Sequence, residues 1–340
     1  MKMSLPTLRL DANEGRCLLS ETTLASLLTP ETARRYPDRA KLGSALAAWL
    51  GLPAANVLAT AGADDALDRT VRAVAQHSGS VMSTFPGFVE FLAAARRSTA
   101  RFIPVRKDPF GPFDIDAITA AIRRKRPSLL VLASPDNPSG SVLTREETLQ
   151  IAETCAAHGT LFLFDATYGA FSTTSASIAE ALTMPSTLVM GSFSKVFGLA
   201  GFRIGWIAGS QHMQAMIAKL GEAGPPFSLS SPAIEAGLAA LALDPALVRS
   251  YIEEIKAERT ELAAVCRARG WRTAEGEGNF VLLGCTQPED FQKALADRGI
   301  LVRVWPGKEG YSQLVRITVP GDRESLRRVA EAIMPKEALA

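Results

Sequence analysis

The segment "GSFSKVFGLAGFRIGW", residues 191–206, sets one lysine, Lys195, among small, hydroxylated and apolar neighbours, with Ser192 and Ser194 before it and Arg203 after it. An amine in such surroundings sheds its proton more readily than a solvated one, because burial and a nearby like charge both disfavour the ammonium form. A neutral lysine amine attacks carbonyl groups and can carry protons. Residues of complementary chemistry recur at the ends of apolar runs. "SLLVLAS" is followed by "PDNPSG" with Asn137, and "TLFLF" by Asp165 and Tyr168. "NVLAT" leads into "AGADD", where a turn at Gly62 exposes the backbone N–H groups of Ala63 and Asp64 at a helix start, a seat for phosphate.

These residues need a scaffold that gathers strand ends, because in open α/β sheets ligands sit beyond the carboxyl ends of the strands. From about residue 56 to 209 short β-rich runs alternate with longer amphipathic ones, predicting βα units around a largely parallel sheet. "NVLAT", "SVMST", "ARFIPV", "SLLVLAS", "TLFLFDA", "STLVMGS" and "FRIGWIAG" read as strands. Their continuous apolar character implies burial on both faces. Gly62, Asp64 and Asp65 mark one helix start, Asp114 opens another at "FDIDAITAAIRR", and "TREETLQIAETCAAHG" is a third. Beyond residue 210 long helical stretches precede a compact strand and helix mixture that includes "NFVLLGC", "ILVRVW" and "QLVRITV". The expected division is a large α/β domain over 31–245 and a small α+β domain from 1–30 and 246–340.

A ligand that uses a lysine nucleophile, a buried carboxylate, a phenol, a phosphate seat and an extra arginine is pyridoxal 5'-phosphate: the amine takes its aldehyde and the acid pairs with its ring nitrogen. At these motifs the chain resembles fold type I pyridoxal-phosphate enzymes of the class I/II aminotransferase family, nearest the histidinol-phosphate aminotransferase branch. The resemblance runs from "LDANE" to "VRITVPG" and rests on "RYPD", "AGADDAL", "FPGF", "NPSG", "DATYGAF", "SFSKVFGLAGFRIGW" and "VRITV". It implies a mostly parallel central sheet flanked by helices, with a smaller α+β domain.

By the same resemblance Lys195 would bind the cofactor aldehyde and move the proton between the substrate α-carbon and the cofactor. Asp165 would keep the ring nitrogen protonated, Asn137 and Tyr168 would bond the ring hydroxyl, and Phe88 stands where relatives place a stacking aromatic. Gly62, Ala63, Asp64, Ser192, Ser194 and Arg203 would seat the phosphate. Tyr36 would reach the cofactor of a neighbouring subunit, implying a homodimer. Arg316 would grip the substrate α-carboxylate, and Asn13 would lie at the substrate entrance. Relatives follow the early "NE" with a Pro-aromatic-Gly turn, whereas here Gly15, Arg16 and Cys17 follow. The implied reaction moves an amino group between an L-amino acid, glutamate among the candidates, and a 2-oxo acid or phosphorylated carbonyl compound. A threonine-phosphate decarboxylase-like enzyme, or another lyase or cyclase on this fold, is the alternative.

Each residue also has a plainer reading. Asp165 could cap a turn, Arg203 and Arg316 could be surface ion-pair partners, Tyr36 and Phe88 could be core aromatics, and Asn137 before proline is a common turn. Gly198, Gly201 and Gly205 do not fit the spacing of a dinucleotide loop. Hydrophobic residues at 47% and charged residues at 21% exclude a disordered chain. A net charge of +2, with the densest basic run, Arg123 to Arg126, at a helix end, argues against nucleic acid. Cys17, Cys155, Cys266 and Cys285, like His77, His158 and His212, are dispersed, so no metal is expected. The opening "MKMSLPTLRLD" has neither a leader's apolar core nor the length of a membrane span, and the expectation is a cytoplasmic protein.

Overall fold

The computed structural model describes residues 7–334, so the first six residues of the opening stretch and the last six of the expected small domain lie outside the described residues. A short strand β1 (Leu8–Leu10) precedes seven that form one sheet: β2 (Val57–Thr60), β3 (Ser80–Phe85), β4 (Arg101–Arg106), β5 (Leu129–Ala133), β6 (Leu161–Asp165), β7 (Thr187–Ser192) and β8 (Gly205–Gly209). Their order is β2-β8-β7-β6-β5-β3-β4. All neighbours from β7 to β4 are parallel, whereas β8 runs antiparallel to both β7 and β2. The antiparallel return has a simple cause. Between β7 and β8 the connection holds no α-helix, only the short turn Ala200–Phe202, whereas a parallel neighbour is usually reached through a crossover helix.

Side chains alternate along the central strands into two apolar layers. Leu130, Leu132, Phe162, Phe164 and Val189 face one layer, and Leu129, Val131, Leu163, Leu188 and Met190 the other. Helices cover both faces, which is why β5 is buried along its whole length. Their starts carry the expected caps. Asp114 accepts from the Ala117 amide, and Thr144 forms a reciprocal box with Glu147 before the helix Arg145–Ala157. The basic run occupies the last turn of the helix Ile115–Lys125, where it complements the dipole.

A second sheet joins β1 to three later strands, β9 (Phe280–Gly284), β10 (Ile300–Val304) and β11 (Leu314–Thr318), in the order β1-β10-β11-β9. Arg303 of β10 is the register partner of Arg316 of β11. The helix Pro245–Ala268 buries Tyr251, Ile255, Glu258, Leu262 and Cys266, a stripe of helical period, against the strand and loop segments around it. Among the described residues no single helix is long and apolar enough to cross a membrane.

Candidate active site

The carboxyl ends of β5, β6 and β7, the start of the helix Ala63–Ala75 and parts of the second sheet enclose a cavity of about 280 Å³. Lys195, three residues past the end of β7, lies in its wall. Its Nζ donates to the Ala12 carbonyl at 3.2 Å and stands 5.8 Å from the centre of the Tyr168 ring. Burial, followed by the charge of Arg316 and with Arg203 adding to it, brings this ammonium down to about 8, against the opposing pull of Asp64 and Glu14. The N-terminal segment passes directly over it. A Cβ on Gly15 would stand 2.4 Å from the Lys195 carbonyl oxygen and 2.9 Å from the Tyr251 hydroxyl, so only glycine fits this crossing. Arg16 turns away from the cavity, bonding the Gly321 carbonyl and pairing with Glu254.

Asp165 closes β6 in register with Ala133 and Met190, in the interior of the sheet. It is buried, and its Oδ1 accepts from the Thr167 amide at 2.9 Å. Burial raises this carboxyl to about 6 even though Thr167 pulls it back. A buried carboxylate without a cation is poised to accept one.

Beside it Asn137, Tyr168 and Arg316 form one network. Asn137 Nδ2 lies 3.4 Å from the Tyr168 hydroxyl, and Arg316 Nη1 donates to Asn137 Oδ1 at 2.7 Å. Arg316 Nη2 donates to the Asp11 carbonyl at 2.8 Å. Arg316 is 6% exposed; its guanidinium lies 5.6 Å from the Phe280 ring and 5.7 Å from the Trp305 ring, and its Nε has no partner among the described residues. Burial lowers it to about 10. It is therefore not the surface ion-pair partner of the plainer reading but a buried cation bonded only to neutral acceptors, a receptor for carboxylate.

At the helix start Gly62 has φ +82°, and a Cβ there would meet Arg203 Nη2 at 2.8 Å. No side chain caps the helix Ala63–Ala75, so its first N–H groups are available to an anion. Arg203 pairs with Asp64 at 2.8 Å, both about half exposed. Such a pair contributes about 0–1 kcal/mol and is readily exchanged for a stronger anion. Ser192 Oγ accepts from the Ser194 amide, and Ser194 Oγ is buried in the wall without a partner. An uncapped helix start, an exchangeable arginine and an orphaned hydroxyl together fit a phosphate. With Asp165 and Lys195 in the same wall, the set fits a phosphorylated aromatic aldehyde with a ring nitrogen.

Three expected residues sit differently from the rest. Phe88 is in the wall and packs edge-on to Phe91 at 5.4 Å, so it is both lining and core-flanking. Asn13 is fully buried behind the wall. Its Nδ2 donates to the Tyr168 hydroxyl at 3.0 Å and its Oδ1 accepts from Thr318, so it holds the phenol rather than facing the entrance. Tyr36 is 82% exposed, stacked on Phe227 at 4.8 Å, and is neither a core aromatic nor part of this chain's own cavity wall. Arg303 and Trp305 also line the cavity, beyond the residues that the strand-end pattern points to. The signal lay in "ILVRVW", where alternation opposes Ile300, Val302 and Val304 to Arg303 and Trp305.

An α/β scaffold with helices on both faces of its sheet thus gathers this constellation at the carboxyl ends of its parallel strands. The family model for aminotransferase class I and II matches residues 7–333, and the chain belongs to that family. It is an enzyme that transfers amino groups. It is similar to histidinol-phosphate aminotransferase 1 of Mesorhizobium japonicum, 31% identical over 93% of this chain and 87% of that protein. An aromatic amino acid aminotransferase of Rhodococcus erythropolis is also 31% identical, over 90% and 84%. The solved histidinol-phosphate aminotransferase of Sinorhizobium meliloti, in complex with pyridoxal-5'-phosphate, superposes with a TM-score of 0.83 at 25% identity, over 98% of this chain and 92% of that one.

Proposed function

We propose that this aminotransferase uses pyridoxal 5'-phosphate and, like histidinol-phosphate aminotransferases, moves an amino group between an L-amino acid such as glutamate and a 2-oxo acid or phosphorylated carbonyl compound. The observation that carries the reading is the pairing, in one wall, of a partly neutral Lys195 amine with a buried Asp165 carboxyl raised to about 6. Bound pyridoxal phosphate supplies an electron sink for the pair left when a substrate α-proton departs. Lys195 Nζ would hold the cofactor at its aldehyde carbon, and the same amine would carry the proton at the substrate α-carbon. Asp165 would keep a proton on the ring nitrogen, a cationic partner that would offset the burial of its carboxylate. Asn137 and Tyr168 take the ring hydroxyl and Phe88 takes the ring face. The N–H groups of Ala63 and Asp64 after the Gly62 turn, with Ser192, Ser194 and Arg203, take the phosphate. Arg316 orients the substrate α-carboxylate.

The reading extends to organisation. The large domain spans 31–245 and the small one 1–30 and 246–340, in agreement with the separation of the two sheets. The enzyme is a cytoplasmic homodimer in which Tyr36 serves the neighbouring site, a role that the exposed Tyr36–Phe227 stack supports. The test is a half-reaction: loaded enzyme and L-glutamate should lose the yellow colour and yield one 2-oxoglutarate per site. An amino-donor screen with no oxo acid formed from any donor would overturn the transferase reading, and carbon dioxide released from threonine phosphate would replace it with decarboxylation.

A further inference from the structure

Tyr311, in the turn between β10 and β11, reaches across to the segment that carries Phe88. Its hydroxyl donates to the Gly87 carbonyl at 2.7 Å and accepts from the Gly87 amide at 2.9 Å, so one phenol meets both polar groups of one residue. The ring is buried, edge-on to Phe85 at 5.7 Å and tilted against Trp305 at 5.5 Å. Trp305 in turn flanks Arg316 and lines the cavity, as do Gly87, Phe88 and Val89. The turn at Gly87 is tight, since a Cβ there would meet the Thr84 carbonyl oxygen at 2.7 Å. The helix that follows, Val89–Arg97, has no side-chain cap to hold its start. Phenylalanine would fill the same ring volume at position 311. What tyrosine adds is the pair of bonds to Gly87, and these tie the wall contributed by residues 85–89 to the wall contributed by residues 303–316.

We propose that Tyr311 is a positioning residue: through Gly87 it sets Phe88 against the cofactor ring and holds that aromatic at a fixed distance from the Trp305 and Arg316 wall. The inference rests on the reading of the cavity as a pyridoxal-phosphate site. Tyr311→Phe keeps the packing and leaves a buried amide and carbonyl unpaired. Removing two such bonds at a cofactor-facing turn corresponds to roughly tenfold weaker binding.

The test titrates apoprotein with pyridoxal 5'-phosphate by quenching of intrinsic fluorescence and records the visible circular dichroism of the bound ring. Val329→Ala, in the apolar core of the second sheet, serves as a destabilised control remote from the cavity. Tyr311→Phe should bind the cofactor roughly tenfold more weakly than wild type and lose visible dichroism, while Val329→Ala lowers the thermal midpoint and moves neither reading. A Tyr311→Phe protein whose cofactor affinity stays within about twofold of wild type, with its dichroism intact, overturns the inference alone. A wild type that takes up no cofactor overturns the functional reading and this inference with it.

Discussion

The Lys195 amine should titrate near pH 8, and this can be read residue by residue. Burial is the largest cause of its depression and the Arg316 charge the next. At pH 8 about half of such amines are neutral, against about 0.3% for a lysine at its ordinary value, a gain of roughly 150-fold in nucleophile. Apoprotein pulsed with trinitrobenzenesulfonate from about pH 6 to about pH 11, then digested and mapped by mass spectrometry, reports each lysine's midpoint. Lys195 should show a midpoint near 8. Arg316→Met removes the second cause and should move the Lys195 midpoint upward. The same depression makes the folded chain release a proton that the unfolded chain keeps. Lys195 therefore weakens the fold fully below about pH 8, and stability is regained as pH rises from there toward 10.5. A wild-type midpoint above about 10 would refute the desolvation argument, and one unmoved in Arg316→Met would refute the like-charge part.

Asp165 and Lys107 give two further expectations. The Asp165 carboxyl is raised from 3.8 to about 6, so the folded apoprotein binds this proton more tightly and loses stability as pH rises through that window. Apo Asp165→Asn should match wild type near pH 4 and exceed it by about 2–3 kcal/mol at pH 7 in urea unfolding, while failing to support turnover; equal stability at pH 7 contradicts the burial argument. Lys107, its side chain 2% exposed, pairs with Asp136 at 3.4 Å and bonds Ser139 and Ser141, fixing the turn that presents Asn137. Lys107→Met strands a buried carboxylate and should lower stability by about 3–5 kcal/mol, partly restored in Lys107→Met/Asp136→Asn; a loss under about 1 kcal/mol would show that the pair does not anchor the turn.

Much of the site could be read before the fold was known, because its residues follow continuous apolar runs and a parallel sheet brings the ends of such runs together. Asn137, Asp165 and Lys195, which share one cavity wall, are legible in this way, and the glycine turn at 62 by its backbone chemistry. Long-range pairing was not readable. Nothing local to "ILVRVW" tells that β10 lies beside β11 and so brings Arg303 next to Arg316. Asn13 illustrates a second limit, since an asparagine near an entrance motif can as well be buried to hold a phenol, and only the fold decides. Lys107 gives no local signal because its partners, Asp136, Ser139 and Ser141, belong to a different connection of the sheet. The antiparallel course of β8 goes with a connection that holds no α-helix, which strand propensity does not register.

The central claim is that one amine forms the covalent bond to the cofactor. Borohydride reduction of the loaded enzyme, followed by proteolysis and mass spectrometry, tests it most directly. The expected result is a single phosphopyridoxyl group on the peptide containing Lys195, absent from Lys195→Ala. A reduced adduct on another lysine, or none on a protein that has taken up the cofactor, would contradict it.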